Sequence, residues 1–174
     1  MRGNPLIAAA LAVTLAAPAL ADGHSGSPAN DTKPVIAAAD AFFAALRSPD
    51  KTALRATMLN EAVIFVHDRR VHDRRDPEAP KTRIVATGDH LDGWETTPPG
   101  TDEYMHYSTV QVDGAMGHIW GPYVFLVNGQ PTHCGINSMS FAKTKQGWRV
   151  ANTSFTMTAL DECEPLGAPE GPQK

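Results

Sequence analysis

Residues 104–157 constrain the fold more tightly than any other part of this 174-residue chain. They hold four runs of strand-forming residues, broken at Asp113-Gly114, Asn128-Gly129 and Gln146-Gly147. Asp-Gly and Asn-Gly are strong hairpin signals, because a two-residue turn of the favoured hand needs positive φ at both central positions. The third break, residues 143–147, is polar and ends in Gly, and reads as a slightly longer turn. Three successive hairpins make a four-stranded antiparallel meander.

Two-residue loops set the pairing. Val112 then lies opposite Ala115, Thr109 opposite His118 and Tyr107 opposite Trp120. Past the second turn, Val124 faces His133, Trp120 faces Asn137 and His118 faces Met139. Side chains alternate between faces with period two. One face is therefore expected to carry Tyr107, Thr109, His118, Trp120, His133, Asn137 and Met139, joined on the last strand by Val150, Asn152 and Ser154. The other is expected to carry Val110, Ile119, Tyr123, Phe125, Cys134 and Ile136. Neither set is wholly polar, so both faces should be at least partly covered. Gly121-Pro122 interrupts the second strand, and a Pro cannot donate to the ladder, so a bulge or bend is expected there.

Residues 1–21 read as a secretory signal peptide. Arg2 supplies the positive start, residues 6–17 form an apolar run too short to span a bilayer, and Ala19-Leu20-Ala21 is a small-x-small cleavage signal. Cleavage after Ala21 predicts a periplasmic or secreted protein with no membrane span in the mature chain. Residues 22–31 are a flexible Gly/Ser/Pro/Asn-rich lead-in. The formal net charge of −4 argues against a nucleic-acid surface, which needs a basic footprint. In an oxidising compartment the two cysteines, Cys134 and Cys163, either form a disulfide that staples the C-terminal tail to the third strand of the meander or remain two free thiols.

A helix is predicted from Thr32, with Pro34 in its first turn and an apolar stripe of Val35, Ile36, Ala39, Phe42, Phe43 and Leu46. A second helix is expected over 49–59, then a turn at Asn60-Glu61 and an edge strand over 62–66. Val66-His67-Asp68-Arg69-Arg70 is repeated at once as Val71-His72-Asp73-Arg74-Arg75. His and Asp are metal ligands and Arg binds anions, but a five-residue repeat fits neither strand nor helix, and four arginines repel a cation. The repeat is therefore read as a solvated charged loop. A short strand at Ile84-Val85, a third helix from Thr87 through Trp94 and a loop over 96–101 complete the lead into the meander. Residues 160–174 are expected to be an irregular tail, which leaves 32–159 as one domain. The long helix must bury its stripe, and a bent sheet wrapped round it is the economical solution.

The element order and several local sequences resemble the nuclear transport factor 2-like superfamily, and within it the bacterial SnoaL-like and lumazine-binding branch. The carrying residues are Val110-Gln111-Val112-Asp113-Gly114, Trp120-Gly121-Pro122-Tyr123, His133-Cys134-Gly135-Ile136 and Gly147-Trp148-Arg149-Val150. The resemblance implies an α+β cone, a strongly bent antiparallel sheet around N-terminal helices, often dimeric through its outer sheet face. It spans isomerases, dehydratases, cyclases, dioxygenase subunits and binding proteins, so it implies no single activity. No Asp or Glu falls on the expected inward face, although Asp40 or Asp89 could reach in from a helix.

On that face His118 is the candidate catalytic acid-base, since imidazole titrates near neutrality; its other reading is a hydrogen-bonded core histidine. Tyr107, Trp120 and Asn137 would stack on and hydrogen-bond a planar ligand, with Asn152 beside them; their other reading is core aromatics and satisfied amides. No metal ligand set and no cofactor motif is read. The expected function is an exported protein binding a small, partly apolar or aromatic molecule in the cone. One alternative is an isomerase, dehydratase or cyclase using His118. Another is a dimerisation or protein-interaction module that docks by its outer sheet face.

Overall fold

The computed structural model describes residues 31–50, 52–70, 81–95 and 99–171. The expected signal peptide, most of the lead-in and the second half of the 66–75 repeat lie outside the described residues.

Helix α1 (Lys33–Arg47) follows Thr32 at its N-cap, with Pro near its start, and buries Val35, Ala39, Phe43 and Leu46 at helical spacing. The second helix is a single turn, α2 (Thr52–Arg55), held at its start by Asp50, whose Oδ1 accepts from the Thr52 N–H at 2.9 Å. It does not continue to residue 59 as expected. Residues from Met58 onward enter strand β1 (Met58–Asp68), where Ala62, Ile64 and Val66 alternate into the core. Asn60 and Glu61, expected as a turn, are exposed strand residues within the irregular stretch of the β1 ladder.

Strand β2 (Lys81–Ala86) pairs antiparallel with β1, so β2 is the edge and β1 lies inside the sheet. Helix α3 (Thr87–Glu95) begins at Thr87, whose buried hydroxyl donates to the Ala62 carbonyl at 2.6 Å and ties the helix to β1. Residues 101–105, divided between loop and meander in the sequence reading, form strand β3 (Thr101–Met105). The meander follows as β4 (Thr109–Asp113), β5 (Met116–Val127), β6 (Gln130–Thr144) and β7 (Gly147–Met157). The sheet order is β2-β1-β7-β6-β5-β3, and β4 shares an edge of β5 with β3. Among the described residues only the β1–β7 pairing is parallel. The curved sheet closes over α1, and Val35, Phe43, Leu46, Ile64, Ile119, Met139, Phe141 and Val150 share one core.

The register differs from the expected one at three places. At the first hairpin Asp113 pairs with Met116, so the loop is Gly114-Ala115, with positive φ on Gly114 alone. Thr109 therefore faces Trp120, a slip of two that keeps the same β4 and β5 side chains together on one face. At the second hairpin Asn128 and Gly129 both take positive φ and Val127 pairs with Gln130, as expected. Then Leu126 pairs with Pro131 but Phe125 pairs with His133, which leaves Thr132 as an extra residue. A slip of one residue turns the rest of β6 over. A second bulge leaves Ala151 extra between the Phe141–Val150 and Ser140–Asn152 pairs, and turns over the rest of β7.

Gly121-Pro122 carries no bulge: the β5–β6 register runs straight through it. It marks the place where β5 changes partner from β4 to β3. A Cβ on Gly121 would stand 1.8 Å from the His106 carbonyl oxygen, so only glycine fits. The Pro122 carbonyl accepts from the His106 N–H at 2.9 Å, so the missing proline N–H faces that same break in the edge.

Beyond β7 the described part of the tail, to residue 171, is held by local hydrogen bonds. A 3-10 turn (Leu160–Glu162) and hydrogen bonds from Leu166 to Glu162 and from Ala168 to Cys163 fold it back on the outer face of β6. A disulfide joins Cys134 to Cys163, with Cα atoms 5.6 Å apart. A disulfide fits an oxidising, non-cytoplasmic location. Among the described residues no helix is long and apolar enough to cross a membrane.

Candidate functional site

The concave side of the sheet encloses a cavity of about 440 Å³. Phe42 and Leu46 of α1, Leu54 of α2, Leu91 and Trp94 of α3, and Ile64, Val66, Phe125 and Phe155 of the sheet make it largely apolar. Thr153, Glu103, Asn137, His90, His133 and Arg83 supply most of its polar groups. Glu103, Asn137 and Thr153 are buried, whereas Arg83 and Val127 are exposed where the cavity opens.

The two bulges decide this lining. Because Thr132 is extra, Asn137, Met139 and Phe141 point inward, while Trp120 and His118 point outward. Trp120 pairs with Ser138 and is 46% exposed; His118 pairs with Gln111 and Ser140 on the outer face. The expected row of Tyr107, Trp120 and Asn137 therefore does not form. Because Ala151 is extra, Thr153 and Phe155 face the cavity and Asn152 faces away. Tyr107 lies between β3 and β4 in a separate recess beside Asp40, Phe43 and Arg47. Its hydroxyl donates to Asp40 Oδ1 at 2.8 Å, so Asp40 is engaged there and does not reach the cavity. Of the five candidate residues, Asn137 alone lines the cavity; His118, Trp120, Asn152 and Tyr107 do not.

The inward carboxylate that the sequence reading did not find is Glu103. It comes from β3, where Thr101, Glu103 and Met105 alternate inward. Two of those three are polar, so the alternation carries no hydrophobic signal. Asn137 Nδ2 donates to Glu103 Oε1 at 3.1 Å. Burial pushes the Glu103 carboxyl up to about 8, with Asp102 adding to the rise and the Asn137 bond opposing it. At neutral pH Glu103 is mostly a carboxylic acid. Asn137 Oδ1 is buried and has no hydrogen-bond partner among the described residues.

Both cavity histidines are held neutral. His133 stacks on Phe125 at 5.0 Å, and its Nδ1 lies 3.1 Å from the Thr132 hydroxyl. Burial, then the nearby Arg70, pulls it down to about 4. Burial, then Arg83, pulls His90 down to about 4. The Trp94 indole N–H donates to His90 Nε2. The Tyr123 hydroxyl donates to the Thr156 carbonyl at 2.8 Å, and burial raises its pKa. Among the described residues no cluster of three or more His, Cys, Asp or Glu is placed to hold a metal. Chemically, the cavity offers a large apolar surface, one free buried acceptor and one neutral carboxylic acid.

The architecture that holds this cavity recurs among solved structures. A nuclear transport factor 2-like protein of unknown function from Shewanella baltica superposes with TM-score 0.54 at 11% identity, covering 73% of this chain and 93% of that one. A proposed dehydratase of the same family from Streptomyces avermitilis gives 0.56 at 18%, covering 76% and 99%. The beta subunit of a proposed aromatic-ring-hydroxylating dioxygenase from Novosphingobium aromaticivorans gives 0.58 at 11%, covering 74% and 90%.

The chain has the nuclear transport factor 2-like fold.

This agrees with the α+β cone expected from the sequence. At these identities the likeness is one of fold alone. No protein-family model matches the chain, and no curated protein matches it.

Proposed function

We propose that this nuclear transport factor 2-like protein is exported and binds a small, partly aromatic molecule in the cone cavity, anchored at its inner end by Asn137. One observation carries the reading: the Asn137 Oδ1 acceptor is buried, unpartnered and set in a largely apolar chamber. Leaving such a group unsatisfied costs about 1–3 kcal/mol, which a ligand O–H or N–H would recover. The volume lies within the range of small-molecule sites, and the edge-to-face Trp94–Phe125 pair suits an aromatic guest. The disulfide and the signal-like residues 1–21 support export.

Calorimetric titration with 2-naphthol and with 2-methoxynaphthalene tests this. The wild-type protein is expected to prefer the naphthol by about tenfold, and Asn137→Leu to remove the preference. Equal affinity in the wild type would remove Asn137 as the anchor, and no binding of either would remove the cavity as the site.

Glu103 favours a second reading, an isomerase, dehydratase or cyclase that uses this neutral carboxyl, in place of His118, as its proton donor. Glu103→Gln keeps the acceptor for Asn137 and removes the acid, so turnover would vanish while binding survives. The homodimer expected from the resemblance would use the outer face, where Trp120 and Met116 are exposed.

A further inference from the structure

The register places Arg83 and Asn137 at opposite ends of one in-facing row. Arg83 pairs with Val66, Val66 with Phe155 and Phe155 with Asn137, across β2, β1, β7 and β6. All four side chains line the cavity. The ends of the row are three strand spacings apart, roughly 14 Å along the sheet. The sheet curves, and both side chains project over its concave side, which shortens that gap.

The two ends have opposite hydrogen-bonding character. Asn137 presents a free acceptor. Arg83 presents only donors, and among the described residues no ion pair or hydrogen bond engages it. His90, on the neighbouring α3, lines the same cavity, near enough to Arg83 for the guanidinium charge to act on its ring. Its Nε2 accepts from Trp94, so the neutral ring carries its proton on Nδ1 and adds a second donor beside Arg83. One guanidinium and one neutral imidazole match a single negative charge, which suits a carboxylate better than a phosphate dianion. Glu103, protonated at neutral pH, adds no opposing charge inside.

Building on the cavity reading above, we infer that the ligand is a small amphipathic hydroxy acid. Its carboxylate sits at the β2–α3 opening on Arg83 and His90, its apolar body lies against Val66, Phe155 and Trp94, and its hydroxyl donates to Asn137 Oδ1. Single-ring aromatic acids with a distal hydroxyl are the plainest members of that class.

The test is calorimetric titration of the full chain with 4-hydroxycinnamate and with its methyl ester, at about 50 mM salt where screening is weak. The acid is expected to bind about tenfold more tightly than the ester, the effect of one charge-assisted contact. Arg83→Gln should bring the acid down to the ester without moving the unfolding midpoint, since Arg83 is exposed. Added salt should weaken the acid alone. Equal binding of acid and ester, or a preference that survives Arg83→Gln, overturns the inference and leaves the cavity reading standing. Binding of neither compound overturns both.

Discussion

At the scale of single residues, position and charge state come from close neighbours. Gly121 is legible in the sequence as a break in a strand. What it accommodates, the His106 carbonyl of a segment fifteen residues earlier, is not. Gly121→Ala is therefore expected to cost roughly 3 kcal/mol or more, because the obstacle is backbone and cannot rotate away. Urea unfolding at equilibrium measures it. Glu103 shows the same limit in another form. Its residue type is visible, but its neutrality depends on burial beneath helices and strands distant in the chain.

At the scale of elements, hairpins are local and bulges are not. Asn128-Gly129 specifies its turn by itself, because few other pairs tolerate positive φ twice. The extra Thr132 and Ala151 have no comparable signature, yet each reverses the faces of a strand. The bulges keep Asn137 on the cavity side and leave Trp120 and Asn152 facing away from it, against the simple alternation expected from the sequence. The expected second helix failed for a related reason: β1 has a place between β2 and β7, and sheet pairing there outweighs weak helical periodicity over residues 56–59. The tail is an element only through its staple. Replacing both Cys134 and Cys163 by Ser should cost about 3.5 kcal/mol, from loop-closure entropy over a separation of 29 residues. Thermal unfolding of oxidised wild type and the double variant measures the difference, and the tail turn at Leu160–Glu162 should lose its amide-exchange protection.

At the scale of the whole molecule, the cavity makes stability depend on pH in two opposed ways. Unfolded histidine takes up a proton near 6.5, whereas His90 and His133 resist until about 4. Between those values the unfolded chain holds more protons, so stability rises with pH. Unfolded glutamate releases its proton near 4.5, whereas Glu103 keeps its own to about 8. Between those values the unfolded chain holds fewer protons, so this contribution falls as pH rises. Two histidines outweigh one glutamate up to about 6.5, and Glu103 alone acts from there to about 8. The unfolding midpoint is expected to peak near pH 6.5 and to decline on the alkaline side. Glu103→Gln should flatten that decline and steepen the rise between about 4.5 and 6.5, where Glu103 no longer opposes the histidines, as a series of melts in matched buffers would show.

By itself the sequence determined the parts whose causes are local: the stripe of α1, the places where the meander turns and the Asn128-Gly129 turn itself. Turn chemistry and hydrophobic period act over a few residues and can be read there. Only the tertiary structure decided the site. The cavity is lined by β3, whose inward residues are polar, and by β6 and β7, whose inward residues are chosen by one-residue bulges. A bulge is stabilised by the neighbouring strands it fits, and a buried carboxyl is neutral because of the atoms packed over it, so neither is written in the residues that carry it.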